Sequence, residues 1–285
     1  MANKRGKTVD KTFLSLDQAE DRGFIHRDYI AHCLRWTHVL KRMYERKTYQ
    51  SARILDVGCG RELPLAKMLY SSKLIPTLYA GVDVGPIEDS EFQKLKGEMA
   101  VRTKVFENTN FLDLTIEDLG GTPANMIVSF EVLEHVEPKM MLDMLEHMKV
   151  LTSEDARFFI STPCWNRVDC ADNHVNEMLY EALGAAFERH GFVIENVYGT
   201  FASIRDYEHK LSPAEHDLFT QLRQYYDSNF LSCIFAPLYP AESRNAPWEL
   251  RKERPNEKLR ETMFEHIEMV QQPWSSSALW QDMAL

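Results

Sequence analysis

The sequence lacks the cysteine patterns and the long apolar runs that mark several common protein classes. Its five cysteines are scattered and none forms a C-x-x-C pair, so neither a zinc ribbon nor a thioredoxin-like motif is indicated. An odd, scattered set of cysteines is typical of free thiols in a reducing compartment. No apolar run approaches membrane-spanning length, and the basic first residues carry no apolar stretch of the secretory kind. We therefore expect a cytoplasmic protein without a membrane partner.

Basic residues are fewer than acidic residues in this chain. The chain has 33 lysines and arginines against 43 aspartates and glutamates, which gives a formal net charge of -10. Indiscriminate binding to phosphate backbones relies on basic surface, so this balance disfavours nucleic acid as a partner, although a local basic patch could still bind it. Hydrophobic residues make up 44% of the 285 residues, enough for a core in one large or two small domains.

The segment at residues 53–61, RILDVGCGR, is the most informative stretch that is present. A short apolar run followed by glycines and then by a helical pattern predicts a buried strand, a tight turn and a helix. Glycines in such a turn let the backbone approach a ligand, and the helix start offers free N–H groups to it. A dinucleotide site would require a third glycine where Leu63 stands, which counts against NAD or FAD. A turn without a ligand remains open on this segment alone.

Four further strands are predicted in order after this segment. The second ends on the acidic residue Asp83, and the fourth runs directly into the segment EVLEHV that starts at Glu131. Their predicted bounds are residues 78–84, 105–113, 125–130 and 157–163. Strand and helix patterns that alternate in this way predict a parallel sheet covered by helices.

Together, the acidic residue before the G-x-G turn, the acid ending the second strand and the EVLEHV segment resemble the class I S-adenosylmethionine-dependent methyltransferases over about residues 50–205. The resemblance implies an α/β fold with a seven-stranded, mostly parallel Rossmann-like sheet and helices on both faces. It implies S-adenosyl-L-methionine as the cofactor. In this resemblance Asp83 takes the two ribose hydroxyls and Asp113 contacts the adenine amino group. The implied cofactor-binding residues are Asp56, Gly58, Gly60, Asp83, Asp113 and Phe130.

The remaining segments extend this domain at both ends. Residues 1–50 are predicted to hold an extension and a helix at 26–49, which either covers the sheet, as we favour, or contributes Tyr29, His32 or Trp36 to the substrate pocket. The methyltransferase domain is expected to span residues 51–255, with strands at 192–198 and 245–252, the last of them antiparallel. Between these strands, residues 206–243 are expected to form a helical insertion that covers the substrate. Residues 256–285 are predicted to form a C-terminal helix and a tail.

Three side chains are candidates for the chemistry of methyl transfer. Glu131, His135 and His174 are predicted to lie at the carboxyl edge of the sheet, where open α/β sheets bind ligands. The enzyme mainly has to hold the acceptor in line with the reactive methyl group, and a general base helps when the acceptor is a hydroxyl or a weakly acidic nitrogen.

The same segment permits a metal-dependent alternative. Glu131, Glu134 and His135, with the distant His174, resemble the metal site of the small-RNA 3′-terminal 2′-O-methyltransferases. Two carboxylates and two imidazoles would suit manganese, iron or zinc. Because the E-x-L-E-H-V segment is common in metal-free methyltransferases, we expect no metal.

The acceptor is expected to be a small molecule, and the sequence does not indicate the oligomeric state. The D/N-P-P-Y/F tetrapeptide of the amino-methylating DNA enzymes is absent, and the dipeptide Pro163-Cys164 follows the fifth strand rather than the fourth, where the cytosine-C5 enzymes carry their nucleophile. An RNA or DNA methyltransferase and a cofactor-binding protein without turnover are the rival functions.

Overall fold

The computed structural model describes residues 27–48, 50–165, 170–200, 208–226, 231 and 234–254, and for residues 27–33, 89 and 91 it describes the backbone only. The predicted C-terminal helix and tail lie outside the described residues, as do residues 1–26. No helix in the described part of the chain is both long enough and apolar enough to cross a membrane.

Seven strands form one sheet in the order β3-β2-β1-β4-β5-β7-β6. All neighbours pair in parallel except β7, which runs antiparallel between β5 and β6. This arrangement confirms the predicted fold class. The strands are β1 (Arg53–Val57), β2 (Leu78–Val82), β3 (Thr103–Phe106), β4 (Ala124–Phe130), β5 (Thr152–Pro163), β6 (Phe192–Val197) and β7 (Asn245–Lys252).

Helices pack on both faces of the sheet. Those in the described residues are α1 (Arg27–Glu45), α2 (Pro64–Ser71), α3 (Asp89–Phe92), α4 (Glu98–Arg102), α5 (Pro138–Val150), α6 (Tyr180–Arg189) and α7 (Pro213–Leu222). Successive β1 residues point to opposite faces, as strand geometry requires: Leu55 and Val57 join one buried cluster and Ile54 joins the other. The first cluster includes Met141, Met144 and Met148 of α5 and the apolar face of α6, and the second includes apolar residues of α1 and α2.

Buried charge fixes α1 against the sheet. Arg42 Nε donates to Glu249 Oε2 over 2.8 Å, and Arg46 Nη2 donates to Glu249 Oε1 over 2.7 Å. The Glu249 side chain on β7 is only 1% exposed, so these two guanidinium groups neutralise a carboxylate that has left water. The contacts attach α1 to β7, and the earlier α1 residues Arg35 and Trp36 line the candidate site.

The third strand is shorter than the sequence predicted. It ends at Phe106 rather than continuing to residue 113, because Asn108 adopts the left-handed region with φ 51° and turns the chain. A single turn of 3-10 helix, Phe111–Asp113, follows. Strand β5 is longer than predicted and begins at Thr152, whereas β7 has the predicted bounds.

The insertion before β7 has a small core of its own. Helix α7 begins with a capping box, in which the Ser212 side chain accepts from the Glu215 N–H and the Glu215 carboxylate accepts from the Ser212 N–H. The buried residues of this small core are Phe219, Leu231, Phe235 and Ala236. The α7 helix ends at Leu222.

Candidate active site

A cavity of about 650 Å³ opens where β1, β2 and β4 end. Most residues predicted for the site line this cavity: Asp56, Gly58, Gly60, Asp83, Phe130, Glu131 and His135. The structure adds lining residues that the sequence did not single out: Arg35, Thr109, Asn110, Phe111, Val136, Met140 and Met144. Trp36, which the sequence left as an open alternative, also lines it. None of the described residues between 208 and 243 lines the cavity, so the covering role of the insertion stays a prediction.

The glycine turn after β1 has a steric reason for its composition. Gly58 has φ +70°, and a Cβ added there would come within 2.2 Å of Val132 Cγ2. Gly60 has φ +71°. Any other residue at Gly58 would therefore strain the backbone and displace Val132 at the same time. The turn brings backbone close to the cavity wall, as a bound cofactor requires.

Asp83 ties the ends of β1 and β2 together. Its Oδ2 accepts from the Gly60 N–H over 2.9 Å and its Oδ1 accepts from the Gly85 N–H over 2.8 Å. The carboxylate therefore faces the cavity in a fixed orientation, with lone pairs left for further donors. This geometry fits the ribose-binding role that the resemblance implies.

Asp56 is the most perturbed acid in the cavity wall. It is 5% exposed, and its Oδ2 accepts from the Tyr79 hydroxyl over 2.5 Å. Burial raises its pKa from 3.8 to about 7; the Tyr79 hydrogen bond opposes this shift and the nearby charge of Asp83 adds to it. The cavity floor thus carries a carboxyl group that binds its proton more tightly than an ordinary aspartate does.

Asp113 lies apart from the cavity. The turn at Asn108 carries Thr109, Asn110 and Phe111 to the cavity wall, whereas Asp113 is exposed to solvent and does not line it. The structure therefore does not place Asp113 where the predicted adenine contact would need it. The sequence prediction failed here because it continued a strand through a turn that only the φ angle of Asn108 reveals.

Glu131 is held by donors from three elements. It has φ 60° and forms an ion pair with Arg35 of α1. Its Oε1 accepts from Ser161 over 2.8 Å and its Oε2 accepts from Asn245 over 2.8 Å. Because both carboxylate oxygens are engaged, Glu131 suits an orienting role better than that of a general base.

Glu134, His135 and His174 form a second group at the edge of the cavity. One ligand-type atom from each lies within 4.8 Å of the other two. Glu134 is 1% exposed, and among the described residues its Oε1 has no hydrogen-bond partner, while its Oε2 accepts from Thr162 over 3.0 Å. Burial, and then the charge of Glu131, raise the pKa of Glu134 well above its ordinary value. His174 does not line the cavity, but its ring lies 4.8 Å from that of His135.

The antiparallel β7, the sheet order and the glycine turn at the end of β1 together define a Rossmann-like methyltransferase fold. A family model described as "Methyltransferase domain" matches residues 26–208, well over half of the chain. The chain belongs to this family and is an S-adenosylmethionine-dependent methyltransferase. Among curated proteins, none matches the chain by sequence.

Solved structures share the fold at low identity. The small RNA methyltransferase HEN1 is 15% identical with a TM-score of 0.52, covering 79% of this chain and 25% of that one. The magnesium protoporphyrin IX methyltransferase (ChlM) of Synechocystis PCC 6803 with bound SAH is 12% identical with a TM-score of 0.50, covering 84% of this chain and 89% of that one. The methyltransferase domain of bacterial CtHen1-C is 14% identical with a TM-score of 0.50, covering 79% and 100%. Identities this low establish the shared fold and leave the acceptor open.

Proposed function

We propose that the protein transfers a methyl group from S-adenosylmethionine to a hydroxyl or amine of a small, largely apolar acceptor. The observation that carries the proposal is the composition of the cavity wall contributed by α1 and by the chain after β4. Apart from Arg35, Glu131 and His135, this part of the wall is apolar: Trp36, Val132, Val136, Met140 and Met144. A concave apolar wall with a few polar groups is typical of small-molecule sites.

The cofactor would be held by the glycine turn and Asp83. When bound, S-adenosylmethionine supplies an electrophilic methyl group on its sulfonium. Gly58 and Gly60 let the backbone approach it, and Asp83 offers carboxylate oxygens already oriented by two backbone N–H groups.

The chain's own polar groups divide into orienting and proton-accepting roles. Arg35, Ser161 and Asn245 fix the Glu131 carboxylate, which can then orient an acceptor hydroxyl. His135 lines the cavity, and its Nδ1 lies 3.0 Å from the carbonyl oxygen of Asn173. A carbonyl oxygen can only accept, so Nδ1 donates in that contact, and Nε2, which lies 3.9 Å from Glu134 Oε1, is the ring nitrogen with a lone pair for a proton.

A turnover screen tests the proposal. The protein is incubated with methyl-labelled cofactor and, separately, with metabolite and RNA pools. We expect labelled product in the metabolite pool that nuclease does not remove. His135→Gln should reduce its formation, whereas His216→Gln, at an exposed histidine outside the cavity, should not. Label found only in nuclease-sensitive product would refute a small-molecule acceptor.

A second candidate is metal-assisted methylation of a ribose 2′-hydroxyl. The observation that favours it is the clustering of Glu134, His135 and His174 within 4.8 Å, together with the buried Glu134 Oε1, which accepts no hydrogen bond from the residues that the structure describes. The donor set fits a manganese, iron or zinc ion, since two imidazoles and a carboxylate are typical ligands of these metals. Glu131 fits less well as a fourth ligand, because Arg35 pairs with it. An ion held there would act as a Lewis acid towards the acceptor oxygen.

Metal analysis of the purified protein separates the two candidates. Stoichiometric bound metal, loss of activity with a chelator and restoration by manganese or zinc would favour the ribose reaction. Glu134→Gln should then remove both the metal and the activity, while Glu137→Gln, exposed and three residues further on, should leave both unchanged. Without the metal, the chelator should have no effect and Glu134→Gln should be mild.

A further inference from the structure

A buried carboxylate lies directly behind His174. His174 Nδ1 is 2.5 Å from Glu177 Oε1, and the Glu177 side chain is 1% exposed. We propose that Glu177, held by a bidentate ion pair with Arg244, is a positioning residue that fixes the tautomer and orientation of His174. The inference rests on the proposed function only in taking His174 to act in the site, whether as a base or as a ligand.

The planar guanidinium of Arg244 forms a bidentate ion pair with Glu177. Its Nη1 donates to Glu177 Oε2 and its Nη2 donates to Glu177 Oε1, each over 2.6 Å, and Nη1 also donates to the carbonyl oxygen of Cys164. Bidentate pairs of this kind define the plane of the carboxylate as well as its position. A carboxylate that accepts from both nitrogens of a guanidinium is bound in its ionised form, because a guanidinium keeps its charge at neutral pH and has no lone pair to accept a carboxyl proton.

An ionised carboxylate determines where the imidazole carries its proton. A carboxylate can only accept hydrogen bonds, so the nitrogen facing it, Nδ1, must be the donor. The other nitrogen, Nε2, is then left with a lone pair in the neutral ring. A lone pair is what a general base or a metal ligand requires, and a carboxylate behind a functional imidazole is a recurrent means of supplying it.

The backbone around His174 is fixed on the opposite side. The Val175 N–H donates to the Glu134 carbonyl oxygen over 2.8 Å, and the Asn176 N–H donates to the same oxygen over 3.1 Å. Further along, the Trp165 N–H donates to the Met178 carbonyl oxygen over 2.9 Å. The segment carrying His174 is thus attached both to the chain after β4 and to the end of β5.

The start of β7 supports two of the candidate side chains at once. Arg244 acts on His174 through Glu177, and the next residue, Asn245, donates to Glu131 over 2.8 Å. Neither Glu177 nor Arg244 lines the cavity. Substituting either should therefore alter the chemistry while leaving cofactor binding intact.

The chain offers a matched control for the Glu177–His174 pair. His190 Nδ1 lies 2.9 Å from Glu146 Oε1, a contact between the same atom types, but Glu146 is 54% exposed and the pair lies outside the cavity. Glu146→Gln therefore removes a similar contact without touching the proposed site.

The test uses the full-length protein labelled with ¹⁵N-histidine. The His174 resonances are assigned by their loss in His174→Gln, and the nitrogen shifts report the tautomer directly. We expect the proton on Nδ1 in the wild type and a loss of this preference in Glu177→Gln, whose side chain is neutral and keeps only one of the two accepting oxygens, with an NH2 group in place of the other. Turnover in Glu177→Gln should fall on the order of 10–100-fold in kcat, with the dissociation constant for S-adenosylhomocysteine unchanged. Glu146→Gln should keep wild-type turnover.

Two results would overturn the proposal. One is a wild-type His174 whose proton resides on Nε2. The other is a Glu177→Gln variant that turns over as fast as Glu146→Gln. If no acceptor pool is methylated, the proposed function fails, but the tautomer in wild type and Glu177→Gln still decides the positioning role. If Glu177→Gln does not fold, the wild-type tautomer and the turnover of Arg244→Lys decide the positioning role instead. Unimpaired turnover of Arg244→Lys would count against the role of Arg244 in holding Glu177.

Discussion

The buried carboxyl group of Asp56 should make the stability of the cofactor-free protein depend on pH. The group lies in the cavity floor, 5% exposed, with the Tyr79 hydroxyl as its hydrogen-bond donor at 2.5 Å. Burial raises its pKa from 3.8 to about 7. We consider the substitution Asp56→Asn, which keeps an oxygen that can accept from Tyr79 and removes the ionisation.

The size and sign of this pH dependence follow from the pKa of Asp56 in the unfolded chain and its pKa in the folded chain. Below pH 3.8 Asp56 is protonated in both the folded and the unfolded chain, and its contribution to stability is fully present. As the pH rises towards about 7, the unfolded chain ionises a group that the folded chain keeps neutral, and the contribution is lost. A tenfold difference in proton affinity corresponds to about 1.4 kcal/mol, so the whole loss is about 4 kcal/mol. Roughly 2–3 kcal/mol of it should fall between pH 5 and pH 8.

Urea unfolding at the two pH values measures this directly. Wild type and Asp56→Asn are compared at pH 5 and pH 8 without cofactor, so that all other titrating groups cancel in the difference. The advantage of Asp56→Asn should grow by about 2–3 kcal/mol from pH 5 to pH 8. Asp143→Asn serves as control, because the Asp143 side chain is 49% exposed and pairs with Lys139 at the surface. Its difference from wild type should change by less than about 0.5 kcal/mol.

A constant difference between wild type and Asp56→Asn would refute the reasoning. So would a variant that loses stability relative to wild type as the pH rises. Either result would mean that the folded protein carries Asp56 as a stabilised carboxylate, and that burial is not the dominant influence on its pKa.

Three further predictions concern the cofactor site and the anchoring of α1. Asp83→Ala should weaken S-adenosylhomocysteine binding by about 1.5–3 kcal/mol in calorimetry, whereas Asp113→Ala should bind it like wild type. Equal losses of binding free energy in the two variants would contradict the placement of Asp83 in the cavity wall and of Asp113 outside it. Gly58→Ala should abolish cofactor binding because its Cβ would lie 2.2 Å from Val132 Cγ2. Gly97 has φ +60° and no atom within 4 Å of an added Cβ, so Gly97→Ala should cost only about 1–2 kcal/mol of stability. If Gly58→Ala and Gly97→Ala behaved alike, the argument from the clash with Val132 would be refuted. Glu249→Gln should lower the free energy of unfolding by about 1.5–3 kcal/mol, because Arg42 and Arg46 would lose a charged hydrogen-bond acceptor. Glu45→Gln, at a surface partner of Arg42, should change it by less than about 1 kcal/mol, and equal effects would show that the buried contact does not anchor α1.

The sequence by itself determined the elements whose signals are local. An apolar run ending in glycines identified β1 and its turn. The observed bounds of β7, Asn245–Lys252, were predicted from the resemblance to the last strand of the methyltransferases. Alternation of strand and helix patterns then sufficed for the fold class, because the order of such units restricts the possible sheets. The residues predicted to bind the cofactor came from the family resemblance, and most of them line the cavity at the carboxyl edge of the sheet. The local signal failed at β3, where the left-handed conformation of Asn108 ended the strand and moved Asp113 away from the cavity.

Only the tertiary structure decided which distant side chains meet. Arg35 reaches Glu131 because buried charge at Glu249 fixes α1 across the sheet, and no periodicity in α1 encodes that contact. Glu177 meets Arg244 because β7 inserts antiparallel beside β5, which brings its first residues next to the chain that follows β5. Hydrogen bonds and ion pairs between residues far apart in sequence depend on how whole elements pack, and a linear pattern carries no record of them. The sequence therefore specified the scaffold, and tertiary packing specified which distant side chains meet beside the cavity.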